Sequence, residues 1–210
     1  MTESILNTSP NDQYAGLILA STSSYRKVLL ERLRIPFLAA ASGVDEDDYL
    51  QAGLNPSELA RTLAHAKASA VLNRFPNATA IGSDQLIDLD GSVLGKPVTA
   101  EKAVSQLQLM AGRSHRLLTA VSVISRNREH LFVNESWLWM RPLTLEEITR
   151  YVENEKPLDC AGSYKIEEAG ISLFDRIECS DFTAITGLPL IELSAELRRR
   201  EFLIPGGVFH

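Results

Sequence analysis

Short apolar runs alternate along this chain with stretches that carry helix-capping signals, and this alternation restricts the fold more than any other feature. Residues 17–20 form an apolar run typical of a buried strand, and a hydroxyl-rich loop and a helix start follow it. Residues 55–58 predict a second helix start, with a cap, a proline in the first turn and a reciprocal glutamate. Strand and helix signals in this order predict an α/β fold with a mixed sheet.

The later segments continue the alternation. Residues 79–83 predict a strand that ends at Asp84, and Asp90-Gly91 predicts a tight hairpin between residues 86–89 and 92–94. The second helix is expected to bury a stripe of Leu59, Leu63, Ala66 and Ala70, and the first to bury Val28, Leu29 and Leu33. The other predicted elements are a helix capped by Thr99, paired strands at residues 117–124 and 130–139, a helix capped by Thr144, and a terminal helix from Pro189.

Composition excludes several classes of protein. The 210 residues carry a formal net charge of −6, which disfavours a general nucleic-acid binder. Cys160 and Cys179 are the two cysteines, without a CxxC motif, so a zinc site or a disulfide framework is not expected and both are interpreted as small packing residues. No stretch is apolar enough to span a membrane. Residues 1–16 are polar and lack a signal pattern; they are predicted to be a disordered tail before one domain at residues 17–210, in the cytoplasm.

The loop and helix start at residues 21–27 suit an anion. Free backbone N–H groups at a helix start favour phosphate, the hydroxyls of Ser21 and Ser23 add donors, and the guanidinium of Arg26 can grip phosphate oxygens. Capped helices are common, so an equally simple interpretation is that Ser23 only caps the helix while Arg26 is solvated.

Two lysines are further candidates for phosphate contacts. Lys67 follows Leu63 by one helical turn and therefore points towards the apolar stripe, where an ammonium is costly unless it is paired or bound to an anion. The alternative is a side chain whose stem covers apolar surface while its head reaches water. Lys96, in Gly95-Lys96-Pro97, is either a second basic contact or a plain turn residue.

Acidic side chains occur where a metal or proton acceptor is expected. Asp84 follows an apolar run, and ligands of α/β proteins gather beyond the carboxyl ends of strands. Glu46 belongs to the acidic run at residues 45–48. A magnesium site needs only one or two carboxylates when water and phosphate supply the remaining ligands. Asp84 is otherwise a turn former, and acidic runs are often only solvated.

Several other polar or aromatic residues are interpreted more simply. His115 is expected to be a strand packing residue or a surface group, and the role of Arg113 is left open. Trp137 and Trp139 are expected in core and edge packing rather than in base stacking.

Taken together, the motifs resemble the Maf family of nucleoside triphosphate pyrophosphatases. They occur in family order and cover roughly residues 17–197. Each motif is weak alone, whereas the ordered set is specific. The matching segments are residues 19–27, 44–46, 64–68, 81–85, 94–97, 112–115 with Thr119, and 161–167.

The resemblance implies a two-lobed, elongated α/β fold similar to that of inosine triphosphatase, with helices on both sides of a mixed sheet and a cleft between the lobes. It implies hydrolysis of a nucleoside triphosphate to monophosphate and pyrophosphate with Mg²⁺ or Mn²⁺, and a homodimer. Asp84 falls at the proton-acceptor position and Glu46 at an acidic position near the metal. The phosphate-contacting positions hold Ser21, Ser23, Arg26, Lys67 and Lys96.

Base preference is expected to depend on Tyr25, Gln85 and Glu167. Members that act on dTTP and UTP tend to carry arginine at the first position and glutamine at the third, so this chain is more similar to the subgroup that hydrolyses 7-methyl-GTP. A 7-methylated guanine is cationic, so an aromatic face attracts it and a carboxylate accepts hydrogen bonds from its edge. That subgroup usually has tryptophan where Tyr25 stands and glycine where Glu168 stands.

Two other functions are compatible with the same residues. One is a family member of ordinary range that hydrolyses dTTP or UTP. The other is a nucleotide-binding regulator of cell division, which would need the phosphate contacts but not the proton acceptor; retention of Asp84 and Glu46 favours an enzyme. A nucleic-acid-binding module is disfavoured by the acidic balance.

Overall fold

The structure is a computed structural model that describes residues 10–50 and 53–206. The strands are β1 (Leu17–Leu19), β2 (Phe37–Ala39), β3 (Thr79–Leu89), β4 (Ser92–Leu94), β5 (Ser114–Ser125), β6 (Arg128–Met140) and β7 (Phe174–Glu178). The α-helices are α1 (Ser24–Glu31), α2 (Asp47–Leu50), α3 (Pro56–Leu72), α4 (Ala100–Met110), α5 (Leu145–Glu155), α6 (Phe182–Ile185) and α7 (Leu190–Arg199). Short 3₁₀ helices occupy Pro10–Gln13, Ala161–Ser163 and Ala169–Leu173.

One mixed sheet organises the chain. Its order is β2-β1-β3-β5-β6-β7, and β4 pairs with the second half of β3. The β2-β1-β3 part is parallel, and the remaining pairs are antiparallel. The mixed α/β architecture predicted from the sequence is confirmed.

Helices cover both faces of this sheet, also as predicted. Leu59 and Leu63 of α3 pack on Leu86, Leu118 and Ala120 on one face. The other face carries two separate apolar clusters. One joins β1 and the first half of β3 to α1 and α7, and the other joins the second half of β3 to α4 and α5. These two clusters are the cores of two lobes.

A break in pairing along one edge of β3 separates the lobes. On that edge β1 pairs with residues 79–81 and β4 with residues 87–89, so residues 82–86 have no partner strand there. The prediction that the strand ends at Asp84 is wrong, because β5 pairs with β3 from Ala80 to Asp88 and keeps it continuous. Asp84 therefore lies in mid-strand, beside a cleft.

The buried helix faces differ in part from those predicted. In α1, Leu29 and Leu30 are buried, whereas Val28 is exposed. In α3, the small residues Ala60, Ala64 and Ala68 accompany the leucines in the core, while Ala66 and Ala70 are only partly buried. The reason is close contact with the sheet: a Cβ at Gly82 would collide with backbone atoms of Ala64 and Ala68. Small side chains and Gly82 let α3 lie directly on β3.

The predicted turn and cap signals are confirmed. Asp90 and Gly91 both have positive φ, as the tight hairpin between β3 and β4 requires. Thr99 caps α4, and Asn55 and Thr144 form reciprocal capping boxes with glutamates of α3 and α5.

The stretch before β1 lies partly outside the described residues. Residues 1–9 of the predicted tail are among those outside, whereas Pro10–Gln13 forms a 3₁₀ helix. Tyr14 contacts the Phe75 ring, and its hydroxyl donates to the Leu17 carbonyl at 3.1 Å. Across residues 10–50 and 53–206, no helix is long and apolar enough to cross a membrane.

Candidate active site

A cavity of about 500 Å³ opens at the break in the sheet, between the two lobes. Its walls come from the loop after β1, α1, the loop before α2, α3, β3, and the segments at residues 159–167 and 185–186. Nearly all the predicted site residues line it: Ser21, Ser23, Tyr25, Arg26, Glu46, Lys67, Gln85, Lys96 and Glu167. Asp84 lies directly behind the wall, next to Lys67.

Successive side chains of β3 point to opposite faces of the sheet, so neighbouring residues contact different elements. Ser83 and Gln85 point to the α1 and α7 face, where they contact residues 184–187. Asp84 points to the opposite face and contacts α3. One unpaired stretch of strand therefore supplies polar groups to both sides of the cleft.

Lys67 joins two carboxylates at the cavity wall. It is 7% exposed, and its Nζ lies 2.7 Å from Asp84 Oδ1 and 2.7 Å from Glu46 Oε1. The position of α3 against Gly82 brings this lysine to the strand. Lys67 is thus a buried, paired cation, and the interpretation of a side chain that reaches bulk water is excluded.

Charge and burial set the proton affinity of the two acids. Burial raises the pKa of Asp84, and the opposing effects of Lys67 and Arg26 do not cancel it. Burial alone would also raise the pKa of Glu46, but Lys67, Lys96 and Arg26 together lower it. Asp84 is therefore the stronger base of the pair.

These two carboxylates fit a divalent metal that a polyphosphate helps to hold. No group of three or more His, Cys, Asp or Glu side chains in metal-binding reach occurs within residues 10–50 and 53–206. A full protein cage of such side chains is thus absent from this part of the chain. Mg²⁺ is often bound by one or two carboxylates while phosphate and water complete its shell, which suits Glu46 and Asp84.

The start of α1 places Arg26 in the same group of charges. Ser23 Oγ accepts from the Arg26 amide at 3.4 Å, and Ser21 Oγ accepts from the Ser23 amide at 3.1 Å. Ser23 is therefore a cap, yet it also lines the cavity. Burial lowers the pKa of Arg26, partly offset by Asp84 and Glu46, and its Nε donates to the Gly187 carbonyl at 3.0 Å. Arg26 is a fixed cation rather than a solvated one.

Arg26, Lys67 and Lys96 together form the cationic end of the cavity. Each of them lowers the pKa of Glu46, so each cation lies near this carboxylate. The hydroxyl-rich loop of Ser21 and Ser23 lines the same cavity. An anion with several negative oxygens fits this end.

The acidic end of the cavity is formed by Tyr25, Asp159, Cys160 and Glu167. Burial, Cys160, Asp159 and Glu167 together raise the pKa of Tyr25 to about 12, so these groups lie near its hydroxyl. Burial and Asp159 raise the pKa of the Cys160 thiol to about 12, which keeps it neutral. The described residues that line this end include no cation.

Gln85 has a fixed orientation beside the acidic end. Its Nε2 shares its two hydrogens among three acceptors, which are the Ala184 carbonyl at 2.9 Å, the Ile185 carbonyl at 3.0 Å and Thr119 Oγ1 at 3.0 Å. Thr119 Oγ1 donates its own proton to the Ala184 carbonyl, so it can only accept from Gln85. The donors of Gln85 are therefore occupied, and its Oε1 acceptor remains for a ligand.

Other candidates lie outside the cavity wall. His115 is a buried strand residue, as one of the two interpretations predicted; burial lowers its pKa to about 4, and its Nε2 lies 3.2 Å from the Tyr164 hydroxyl. Arg113 pairs with Asp90 at the hairpin. Trp137 and Trp139 are neighbours on β6, an inner strand that pairs with β5 and β7, and an arginine lies over each ring. Trp137 is exposed, so the prediction of core and edge packing is wrong for it.

The interpretation of both cysteines as packing residues is wrong. Cys160 lines the cavity, because residues 159–161 turn inwards beside Tyr25, and Cys179 is exposed just after β7.

A family model described as "Maf-like protein" matches residues 16–200. The chain belongs to the Maf family. Proteins named 7-methyl-GTP pyrophosphatase are similar to it over nearly their whole length. The one from Xanthomonas oryzae pv. oryzae (strain MAFF 311018) is 51% identical over 90% of this chain and 98% of its own. Those from Bdellovibrio bacteriovorus and Pseudomonas aeruginosa are 46% and 44% identical, over 84% and 90% of this chain and 93% and 98% of their own.

A solved structure supports the fold of this Maf protein. The Ham1 protein of Staphylococcus aureus matches with a TM-score of 0.51, covering 89% of this chain and 100% of that chain at 14% identity. The similarity concerns the fold alone. It agrees with the two-lobed α/β fold predicted from the motifs.

Sequence reasoning missed Asp159, Cys160 and the turn at residues 184–187. Asp159 and Cys160 directly precede the motif at residues 161–167, and their proximity to Tyr25 depends on the fold. Gly187-Leu188-Pro189 did give a local signal, since a glycine two residues before a helix-opening proline indicates a tight turn, and Gly187 has a φ of +112°. Glu168, where the related subgroup usually has glycine, has a φ of −115°, so the backbone here does not require glycine.

Proposed function

We propose that this Maf protein hydrolyses a nucleoside triphosphate between its α and β phosphates, giving a monophosphate and pyrophosphate. The observation that supports this most directly is the contact of Lys67 with Asp84 and Glu46 beside Arg26 and Lys96. A buried acid with a raised pKa next to several cations combines a proton acceptor with a polyphosphate site.

The cationic end performs two tasks in this mechanism. Arg26, Lys67 and Lys96 bind the triphosphate and stabilise the charge that develops on the leaving pyrophosphate. The hydroxyls of Ser21 and Ser23 orient the phosphate oxygens. Because burial raises its pKa, Asp84 is suited to accept the proton of the attacking water at Oδ2, since Oδ1 accepts from Lys67.

Glu46 would hold a divalent metal, Mg²⁺ or Mn²⁺, with the phosphates as further ligands. The alternative role of Asp84 is to help hold this metal instead of accepting the proton. When bound, such a metal neutralises phosphate charge and polarises the bond to be cleaved. Glu46 suits this task because the surrounding cations lower its pKa and keep it ionised.

The acidic end supports 7-methyl-GTP as the substrate. Glu167, Asp159 and the Oε1 of Gln85 are acceptors, and a guanine presents donors at N1 and N2. The methylated base carries a positive charge, which the two carboxylates and the Tyr25 ring favour. The relatives named 7-methyl-GTP pyrophosphatase agree with this choice. A triphosphate at the cationic end and a cationic base at the acidic end match the charges of the cavity.

Three further properties belong to the same proposal: a cytoplasmic location, a homodimer, and small-molecule nucleotides rather than nucleic acids or membranes as partners. The net charge of −6 supports the exclusion of nucleic acids. Light scattering of the purified chain tests the dimer. A mass near twice the 23.2 kDa of one chain is expected, and the mass of a single chain would contradict it.

A substrate panel tests the proposed activity. Release of pyrophosphate from 7-methyl-GTP, GTP, dTTP and UTP is measured with Mg²⁺ and with Mn²⁺, and with EDTA as the control. We expect the highest kcat/KM for 7-methyl-GTP and loss of turnover in EDTA. A preference for dTTP or UTP would overturn the proposed base but retain the reaction. Tight nucleotide binding without turnover would instead indicate a regulator.

A further inference from the structure

A single backbone turn contacts side chains that belong to, or lie beside, the two ends of the cavity. This carbonyl turn, residues 184–187, runs from the end of α6 towards α7. The Gly187 carbonyl accepts from Arg26 Nε at 3.0 Å and from Ser83 Oγ at 3.0 Å. The Ala184 and Ile185 carbonyls accept from Gln85 Nε2. Arg26 belongs to the cationic end, and Gln85 lies beside the acidic end.

The chemistry of a helix end explains why these carbonyls are available. The last carbonyls of an α-helix have no partner within the helix, and α6 is a helix of four residues. The Gly187 amide donates to the Ala184 carbonyl at 2.9 Å, and side chains of α1, β3 and β5 also donate to the carbonyls of the turn. The carbonyl turn thus fixes the positions of these side chains, and their donors satisfy its carbonyl oxygens.

A buried carboxylate, that of Asp181, hydrogen-bonds to residues on both sides of the carbonyl turn. Asp181 is 5% exposed, and its Oδ1 accepts from the Thr183 amide at 2.9 Å and from the Thr183 hydroxyl at 2.6 Å. Its Oδ2 accepts from the Ile191 amide at 2.7 Å. Both flanks of the turn are therefore tied to one group, which leaves the backbone little freedom to shift.

We propose that the carbonyl turn is a positioning element that sets the distance between Arg26 and Gln85. It thereby sets the spacing between the triphosphate and the base of a bound nucleotide. This inference rests on the proposed function, which assigns the triphosphate to the cationic end and the base to the acidic end. None of the carbonyls needs to touch the substrate: the turn acts through the two side chains that it holds.

Gly187→Ala tests the proposal. The added Cβ would lie 3.3 Å from Arg26 Nε and 3.7 Å from Gln85 Oε1, and a φ of +112° strains an alanine. Gly91→Ala is the matched control, since it has a φ of +87° at the β3–β4 hairpin and nothing within 4 Å of the added Cβ. It introduces similar backbone strain away from the cavity.

Two inhibitors report on the ends separately: inorganic tripolyphosphate on the cationic end and 7-methylguanosine on the acidic end. In Gly187→Ala we expect both inhibition constants to rise about tenfold, together with the KM of the nucleotide, because the added Cβ and the strained backbone displace both side chains from their acceptors. Gly91→Ala is expected to leave both constants unchanged. Unchanged constants in a folded Gly187→Ala, or an equal loss in Gly91→Ala, would overturn the proposal.

Thr119→Val provides a second test that does not strain the backbone. It removes the hydroxyl that bridges Gln85 to the Ala184 carbonyl, so inhibition by 7-methylguanosine should weaken about threefold while tripolyphosphate is unaffected. Thr119→Ser should restore the wild-type value. If Gly187→Ala does not fold, the Thr119→Val variant decides. The proposal is overturned if inhibition of this variant by 7-methylguanosine is not weakened relative to inhibition by tripolyphosphate. An error in the proposed base preference would give a different result, because 7-methylguanosine would then not inhibit the wild-type chain.

Discussion

The two ends of the cavity are built in different ways. At the cationic end, Lys67 and Asp84 are almost fully buried, and they come from α3 and β3 at the centre of the fold. At the acidic end, Asp159 and Glu167 are exposed and come from the segment after α5. Two of the charges at the cationic end are thus part of the core, whereas two carboxylates of the acidic end lie at the surface. Changes at the acidic end should alter preference without unfolding the chain.

The largest expected effect is at Asp84. Asp84→Asn keeps an oxygen that can accept from Lys67 but removes the proton acceptor, so kcat should fall about 1,000-fold for every nucleotide. Pyrophosphate release measures the loss, and circular dichroism checks the fold. Substantial turnover in the folded variant would remove Asp84 from the catalytic role and weaken the distinction between the two ends.

Lys67→Met is expected to lower kcat/KM about 100-fold, again for every base. It should also change the pH dependence. Lys67 lowers the pKa of Asp84, so without it burial raises that pKa further. As the pH is lowered, the variant should therefore lose the activity that needs the ionised carboxylate at a higher pH than the wild type does. A pH profile of kcat/KM tests this, with exposed Lys102→Met as the control. An acid limb at the same pH in variant and wild type contradicts the assignment.

A buried histidine supports the wall near the acidic end. His115 has a pKa of about 4 in the folded chain against 6.5 when exposed, so its contribution to stability is complete above pH 6.5 and is lost as the pH falls towards 4. Between pH 7 and pH 5 the free energy of unfolding should fall by about 2 kcal/mol from this group. Urea denaturation of wild type and His115→Leu at both pH values measures it. His65→Leu is the exposed control, and the same pH dependence in wild type and His115→Leu would exclude His115.

Glu167→Gln is expected to lower the preference for 7-methyl-GTP over GTP about fivefold, because an exposed carboxylate is partly screened by water. Inhibition by tripolyphosphate should not change. Glu168→Gln is the matched control: the adjacent carboxylate is exposed and is not part of the cavity wall. An equal effect of both substitutions would mean that position 167 has no special contact with the base.

The smallest expected effect is at Tyr25. Tyr25→Trp offers a stronger aromatic face to a cationic base and should increase the preference for 7-methyl-GTP about twofold. The ratio of kcat/KM for 7-methyl-GTP and GTP measures it. A lower ratio would indicate that the Tyr25 hydroxyl, rather than its ring, determines the preference.

Much of the fold could be predicted from local signals. The hairpin at Asp90-Gly91 and the caps at Asn55, Thr99 and Thr144 depend on neighbouring residues only, and the structure confirms them. The continuity of β3 through Asp84 could not be predicted in this way, because it depends on pairing with β5. The buried face of α3 was partly missed for the same reason, since Gly82 on another element determines how closely the helix packs.

The candidate site shows the same division. Motif order identified the residues that line the cavity, because each motif contains its own polar side chains. The contact of Lys67 with both acids and the fixed amide of Gln85 arise between distant segments. No local pattern contains them, and the roles assigned to the site residues stay predictions for the experiments above.

The continuous pairing of β3 with β5 has a consequence for ligand entry. Both strands pass through both lobes, so rotating one lobe against the other would bend a ladder that joins Ala80–Asp88 to Arg116–Ile124. Such bending is costly, and a hinge closure of the kind found in two-domain binding proteins is therefore disfavoured. We expect the nucleotide to enter a largely preformed chamber, with side-chain movement confined to its exposed rim.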